Sequence, residues 1–108
     1  MNTQQKDQPL TIGVTIKGDK AIIDIILHRH IRPTEIKEAI QQLKEKEQEL
    51  YGKVFYVGGR APIWLYGSLV HYLSHLGPIV SVFDPKLRGY VVVASHIPEI
   101  EEGTIITP

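Results

Sequence analysis

The stretch from Val54 to Phe83 constrains the chain most. It reads as an apolar strand (Val54 to Val57), a glycine loop (Gly58-Gly59-Arg60-Ala61-Pro62), a helix to about Leu76, a Gly77-Pro78 stop, and a second apolar strand (Ile79 to Phe83). Pro62 suits the first turn of a helix, where its missing N–H would be unpaired anyway, and Gly77-Pro78 cannot continue one. Two strands joined through a helix pair in parallel with a right-handed crossover, so this unit predicts an α/β sheet.

The flanking segments extend that sheet. Leu10, Ile12, Val14 and Ile16 alternate with Thr11, Gly13 and Thr15, the period of a half-buried strand. Lys17-Gly18-Asp19-Lys20 has turn composition, and the aliphatic run Ala21 to Leu27 is broken only by Asp24, so residues 10–27 predict a β-hairpin. His28 to Arg32 forms a short basic connection. Pro33-Thr34-Glu35 then opens a helix whose Ile36, Ala39, Ile40, Leu43 and Leu50 share a face and which ends near Gly52. After Phe83, the segment Asp84-Pro85-Lys86-Leu87-Arg88-Gly89 turns the chain, and Tyr90 to Ala94 returns as a strand before an irregular tail. The expected architecture is a small Rossmann-like sheet in two or three layers, with an N-terminal hairpin, two helices and a C-terminal antiparallel strand pair. Residues 1–9 are expected to be flexible, and residues 10–108 to form one domain.

Twelve basic and twelve acidic side chains cancel, so the broad positive field of a non-specific nucleic-acid binder is absent and any polyanion must be held locally. The chain has no cysteine, which excludes disulfides, thiolate zinc sites and a cysteine nucleophile. No apolar run is long enough to span a membrane, and the polar first ten residues lack the apolar core of a signal peptide, so a soluble cytoplasmic protein without membrane or DNA partners is expected.

The glycine loop is the first candidate for chemistry. Glycines let backbone amides approach a ligand, the following helix N-terminus favours an anion, and Arg60 adds a bidentate phosphate fork. Gly58-Gly59-Arg60-Ala61-Pro62 is neither a nucleotide P-loop nor a dinucleotide fingerprint, and it is equally readable as a tight turn with a surface arginine. Its position outside the carboxyl end of a strand is where open α/β sheets bind ligands. Trp64, the one tryptophan, stands beside it as either a base-stacking platform or a core anchor.

His71 and His75 are four apart on one helix face, a spacing that can bind a metal but needs a third ligand. His75 ends that helix, where a general acid or base can sit. Asp84 is an ordinary Asp-Pro turn starter and also a hard oxygen ligand at a strand end, with Lys86 two residues on to hold a phosphate and His96 after the last strand to complete a mixed site. Glu99, Glu101 and Glu102 read as a solvated acidic tail.

Gly58-Gly59-Arg60-Ala61-Pro62-Ile63-Trp64-Leu65, followed by His75, Pro78, Asp84-Pro85-Lys86 and Val91-Val92-Val93-Ala94-Ser95-His96, resembles the small Csx-three ring nucleases associated with type III CRISPR systems. The resemblance extends over roughly residues 10–107 and is most specific between 58 and 96. It implies a CARF-like variant of the Rossmann fold and a homodimer. It also implies manganese-dependent cleavage of cyclic tetra-adenylate to linear di-adenylate, which switches off the immune signal. In the family two dimers sandwich one ring, giving a tetramer around the ligand, and members were also described as ribonucleases on RNA 3′ ends. By this resemblance His75, Asp84 and Lys86 match catalytic positions, Gly58, Gly59, Arg60, Ala61, Pro62 and Trp64 the ligand-binding segment, and Asp84 and His96 the Mn2+ ligands. Lys86 stands where the family is expected to have arginine, and replaces a bidentate fork by a point charge. Two other readings stand beside the ring nuclease: a sensor that binds the cyclic nucleotide without cutting it, and a nuclease on linear RNA 3′ ends.

Overall fold

The structure, a computed structural model, describes residues 8–108. Strands β1 (Leu10–Lys17) and β2 (Lys20–Leu27) form the predicted hairpin, paired from Leu10↔Leu27 to Lys17↔Lys20. A 3-10 turn at Pro33–Glu35 leads into α1 (Ile36–Lys44) and a short α2 (Glu47–Leu50). Then follow β3 (Val54–Gly58), α3 (Ile63–Ser74), β4 (Ile79–Asp84), β5 (Gly89–Ser95) and β6 (Ile105–Ile106). The sheet runs in sequence order from β1 to β6, with β2, β3 and β4 mutually parallel and the other neighbours antiparallel.

Two helical crossovers that advance the same way along a sheet with the same hand lie on the same face, so the architecture is two-layered. Accordingly α1 and α3 touch each other, α1 packs on β1, and α3 packs on β4 and β5. The inward face of the sheet supplies Leu10, Ile12, Ala21, Ile23, Ile25, Phe55, Val57 and Val80, which pack with Ala39, Leu43, Leu65, Leu69 and Leu73 of the helices. On the other face Ser81 is also fully buried, and its hydroxyl donates to the Phe55 carbonyl at 2.8 Å.

The structure departs from the sequence expectations in three places. The helix expected from Glu35 to about Leu50 is broken at Glu45 and Lys46: Lys44 to Glu49 contains no apolar side chain to hold it on the sheet. The turn lets Leu50 reach the core and brings Glu47 under the Tyr72 hydroxyl of α3. The tail is not wholly irregular, since Ile105 and Ile106 pair with Val91 and Tyr90 as an edge strand. Pro62 occupies the N-cap of α3 rather than its first turn, and His75 is the C-cap. Of the segment 1–9, residues 1–7 lie outside the described residues; Pro9 is buried and its carbonyl accepts the His28 amide at 2.9 Å.

Candidate functional site

Because β2, β3 and β4 are parallel, the loops that leave their carboxyl ends emerge on one edge of the sheet. These loops are His28–Arg32, Gly59–Ala61 and Pro85–Arg88, and they contain all four arginines of the chain, Arg29, Arg32, Arg60 and Arg88, together with Lys86. A protein without net charge thus gathers its arginines at one rim, the place where open α/β sheets take their ligands.

The glycine loop is held by its neighbours. Gly59 has φ +115, and a Cβ there would stand 2.3 Å from the Ile25 carbonyl oxygen, so β2 and this loop approach as closely as they do only because position 59 is glycine. Tyr66, in the first turns of α3, donates its hydroxyl to the Gly59 carbonyl at 2.5 Å. Burial pushes the Tyr66 phenol above its usual value, and the Asp24 carboxylate adds to this. The phenol therefore stays a donor. Pro62 caps α3 without a side-chain acceptor, so the first amides of that helix are left for solvent or an anion, with exposed Arg60 beside them. His28, Arg29, His30 and Ile31 share a cleft with Pro62, which joins the first two loops.

In the first loop, Glu35 receives the Arg29 guanidinium through both oxygens at 3.1 and 2.7 Å, and the Arg32 amide at 2.8 Å. The hydrogen bond from Arg29, supported by the Arg32 amide, holds its carboxyl down at about 2. In the third loop, Asp84 accepts the amides of Lys86 and Leu87 through Oδ1 at 2.9 and 3.0 Å, closing an Asx turn that carries Arg88 at φ 54. Asp84 therefore has the turn-forming role, with Oδ2 left over.

The structure does not bring every sequence-predicted residue together. Gly58, Gly59, Arg60, Ala61, Asp84 and Lys86 lie at the arginine rim. His75 and His96 lie at the other end of the sheet: His75 caps α3, its ring edge-on to His71 with centroids 4.8 Å apart, and His96 Nε2 meets the Ser74 carbonyl at 2.9 Å. Asp84 pairs with Gly89 at one end of the β4–β5 hairpin and Ile79 with Ser95 at the other, five residues or about 17 Å of strand away. Trp64 is partly buried in the groove between α1 and α3, with Ile36, Ile40 and Tyr72, and serves the core there. Among the described residues no three acidic, histidine or cysteine side chains converge into a metal site. A single chain does not build the manganese site that the resemblance implies. Sequence reasoning passed over Arg29, Arg32, Arg88 and Tyr66. The arginines were marked by their place at strand ends, whereas nothing in the sequence pointed Tyr66 at Gly59.

Comparison with known proteins agrees with the residues that carry the resemblance. The family described as CRISPR-associated protein (Cas_csx3) matches residues 25–107. A protein of Aquifex aeolicus (strain VF5), described as an uncharacterized protein, is 36% identical over 91 residues, covering 84% of this chain and 80% of the relative. The match runs from the end of β2 through β6 and includes the whole arginine rim, and on that extent the chain belongs to the Csx3 family of CRISPR-associated proteins.

Proposed function

We propose that the chain is a ring nuclease that binds cyclic tetra-adenylate at the arginine rim and opens it to linear di-adenylate. The observation that carries this reading is the collection of all four arginines, a glycine loop and an uncapped helix N-terminus on one edge of a neutral protein. A ring of four phosphates presents that combination with several anionic groups at once. Arg60 and the amides around Gly59 take a phosphate, Lys86 and Arg88 a neighbouring one, and Arg29, steered by Glu35, borders the same edge.

Cleavage asks more of the chain than binding does. His75, the proton-transfer group in this reading, and Asp84 occupy opposite ends of the sheet. The reacting phosphate therefore meets both only where two copies of the chain face one ligand, each offering the group that the other lacks. Manganese dependence belongs to the same proposal: Asp84 and His96 would hold the ion, which would offset charge on the reacting phosphate, and because they lie at opposite ends of the sheet they would have to come from different copies. Without that assembly the same surface is a sensor, and the separation of His75 from Asp84 is the observation that favours this second reading.

The test is to incubate the purified protein with labelled cyclic tetra-adenylate in Mn, in Mg and in chelator, and to resolve the products. Linear di-adenylate formed with Mn and absent in chelator supports the ring nuclease. Intact ligand retained by the protein supports the sensor. Preferential trimming of linear oligoadenylate over the ring would make it an RNA 3′-end nuclease, and neither binding nor cleavage overturns all three.

A further inference from the structure

Asp24 is the one charged residue between Ala21 and Leu27, and the fold sets it beside the glycine loop. It pairs with Gly13 of β1 and Gly58 of β3, and Gly58 is the last residue before Gly59. Neighbouring strands lie about 4.8 Å apart and paired residues share a face. On the face away from the helices, the Asp24 carboxylate therefore has no side chain next to it on either strand. A Cβ at Gly13 would stand 3.6 Å from the Asp24 Cβ, and only Asp24 atoms lie within reach of it. Beyond Gly58, Tyr90 brings its hydroxyl to 3.8 Å from the place where a Cβ would stand. Its ring is fixed there edge-on to Tyr56 and Phe83, with centroids 5.3 and 5.2 Å away. Position 58 is thus a hollow with a carboxylate on one flank and a phenol on the other.

Both flanks are unengaged. Of the acidic residues at this edge, Glu35 is taken up by Arg29 and Arg32, and Asp84 by the amides of its own turn. The exposed Asp24 side chain makes no hydrogen bond or ion pair among the described residues, and neither does the Tyr90 hydroxyl. Burial, and after it the Asp24 charge, pushes the Tyr90 phenol above its usual value, so it stays a donor. A bare carboxylate next to a phosphate loop weakens anion binding by repulsion. That cost is offset only where the same ligand carries a donor to meet it.

We infer that Asp24 and Tyr90 together read the ribose 2′-hydroxyl of the nucleotide whose phosphate sits on the glycine loop, an assignment that rests on the ring-nuclease reading of the rim. In a ring closed through 3′ and 5′ oxygens, the 2′-hydroxyl is the one sugar hydroxyl left free. It stands on the carbon next to the one that bears the 3′-phosphate, so a phosphate at Gly59 and Arg60 carries it to the adjacent strand pair. A hydroxyl donates and accepts at once. Its hydrogen goes to Asp24, which only accepts, and its oxygen takes the hydrogen of Tyr90. The exocyclic amine of adenine fits this pair less well: it offers Tyr90 no acceptor, and it lies on the side of the base remote from the phosphate. The 2′-hydroxyl is also the group by which a protein tells a ribonucleotide from a deoxyribonucleotide, so the two side chains set the sugar specificity of the site.

Calorimetric titration with cyclic tetra-adenylate and with its 2′-deoxy counterpart, in chelator to hold cleavage back, tests this. The wild type is expected to bind the ribose ring at least about tenfold more tightly than the deoxyribose ring. Asp24→Ala should bind the ribose ring no better than the deoxyribose ring, with no loss of affinity for the latter, because the contact is absent there. Asp24→Asn, whose amide oxygen still accepts, and Tyr90→Phe, which keeps the packed ring, should each retain part of the preference. A wild type that binds both rings equally overturns the inference and leaves the ring-nuclease reading in place. So does an Asp24→Ala chain that binds both rings more tightly by the same factor, the mark of a carboxylate that only repels phosphate, or one that loses affinity for both alike. A wild type that binds neither ring overturns the reading of the rim, and the inference with it.

Discussion

His75 and Asp84 bracket strand β4: His75 ends the helix that precedes it, and Asp84 ends the strand itself. Nine residues apart in sequence, they sit at opposite ends of the sheet because a strand crosses the molecule between them. Any reaction that needs both must draw them from two chains.

Mixing two variants checks this. His75→Ala and Asp84→Ala should each lose ring opening, and an equimolar mixture, equilibrated to exchange subunits, should regain about a quarter of the wild-type rate, the share of sites that random pairing restores. A mixture as inactive as its components would place both groups within one chain's site and contradict the separation seen here.

Binding should depend on the arginine rim more than stability does. Arg60→Ala removes a charged hydrogen-bonding group from an exposed position, so cyclic tetra-adenylate affinity should fall by about tenfold or more while the thermal midpoint stays in place. Arg88→Gly should also weaken binding, yet should raise stability by up to about 1 kcal/mol, because Arg88 holds a φ of 54 that glycine adopts freely. Calorimetric titration and thermal melts of both variants separate the two effects.

The glycine loop should tolerate little change. In Gly59→Ala the new methyl would meet the Ile25 carbonyl at 2.3 Å, and backbone at that distance cannot move aside cheaply. A loss of about 2 to 4 kcal/mol is expected, measured by urea denaturation. Tyr66→Phe deletes only the hydroxyl that holds the Gly59 carbonyl. It should cost about 1 kcal/mol and lower ligand affinity, with far-ultraviolet circular dichroism unchanged.

Acid should loosen the first loop. The Glu35 carboxyl is held at about 2 in the fold against an ordinary value of 4.5. Its stabilising contribution is therefore complete above that ordinary value and is lost as pH falls from about 4.5 toward 2. Melting temperatures recorded across that range should fall for the wild type more steeply than for Glu35→Gln, which lacks the titrating group; parallel curves would remove Glu35 from the acid response.

Much of the fold was legible because it rests on local periodicity and turn chemistry. The alternation in Leu10 to Ile16, the Gly77-Pro78 stop and the βαβ unit around the glycine loop appear where the residues placed them. The break between α1 and α2 was not legible, since Lys44 to Glu49 are good helix formers by themselves; the chain turns there to bury Leu50 and bring Glu47 to Tyr72, a contact 25 residues distant. The edge strand β6 was missed for a similar reason: two residues form it only because β5 offers a free edge.

The candidate site divides along the same line. Residue type and local order determined by themselves that strand, glycine loop and helix follow one another, that Arg60 stands at the loop, and that Asp84 starts a turn, because each depends on neighbours within a few residues. Only the tertiary structure decided that Arg29, Arg32 and Arg88 join Arg60, since that follows from three strands running parallel and releasing their loops on one edge. It alone also decided that His75 and His96 stay away from Asp84, because strand direction, which sequence spacing does not reveal, sends them to the opposite end.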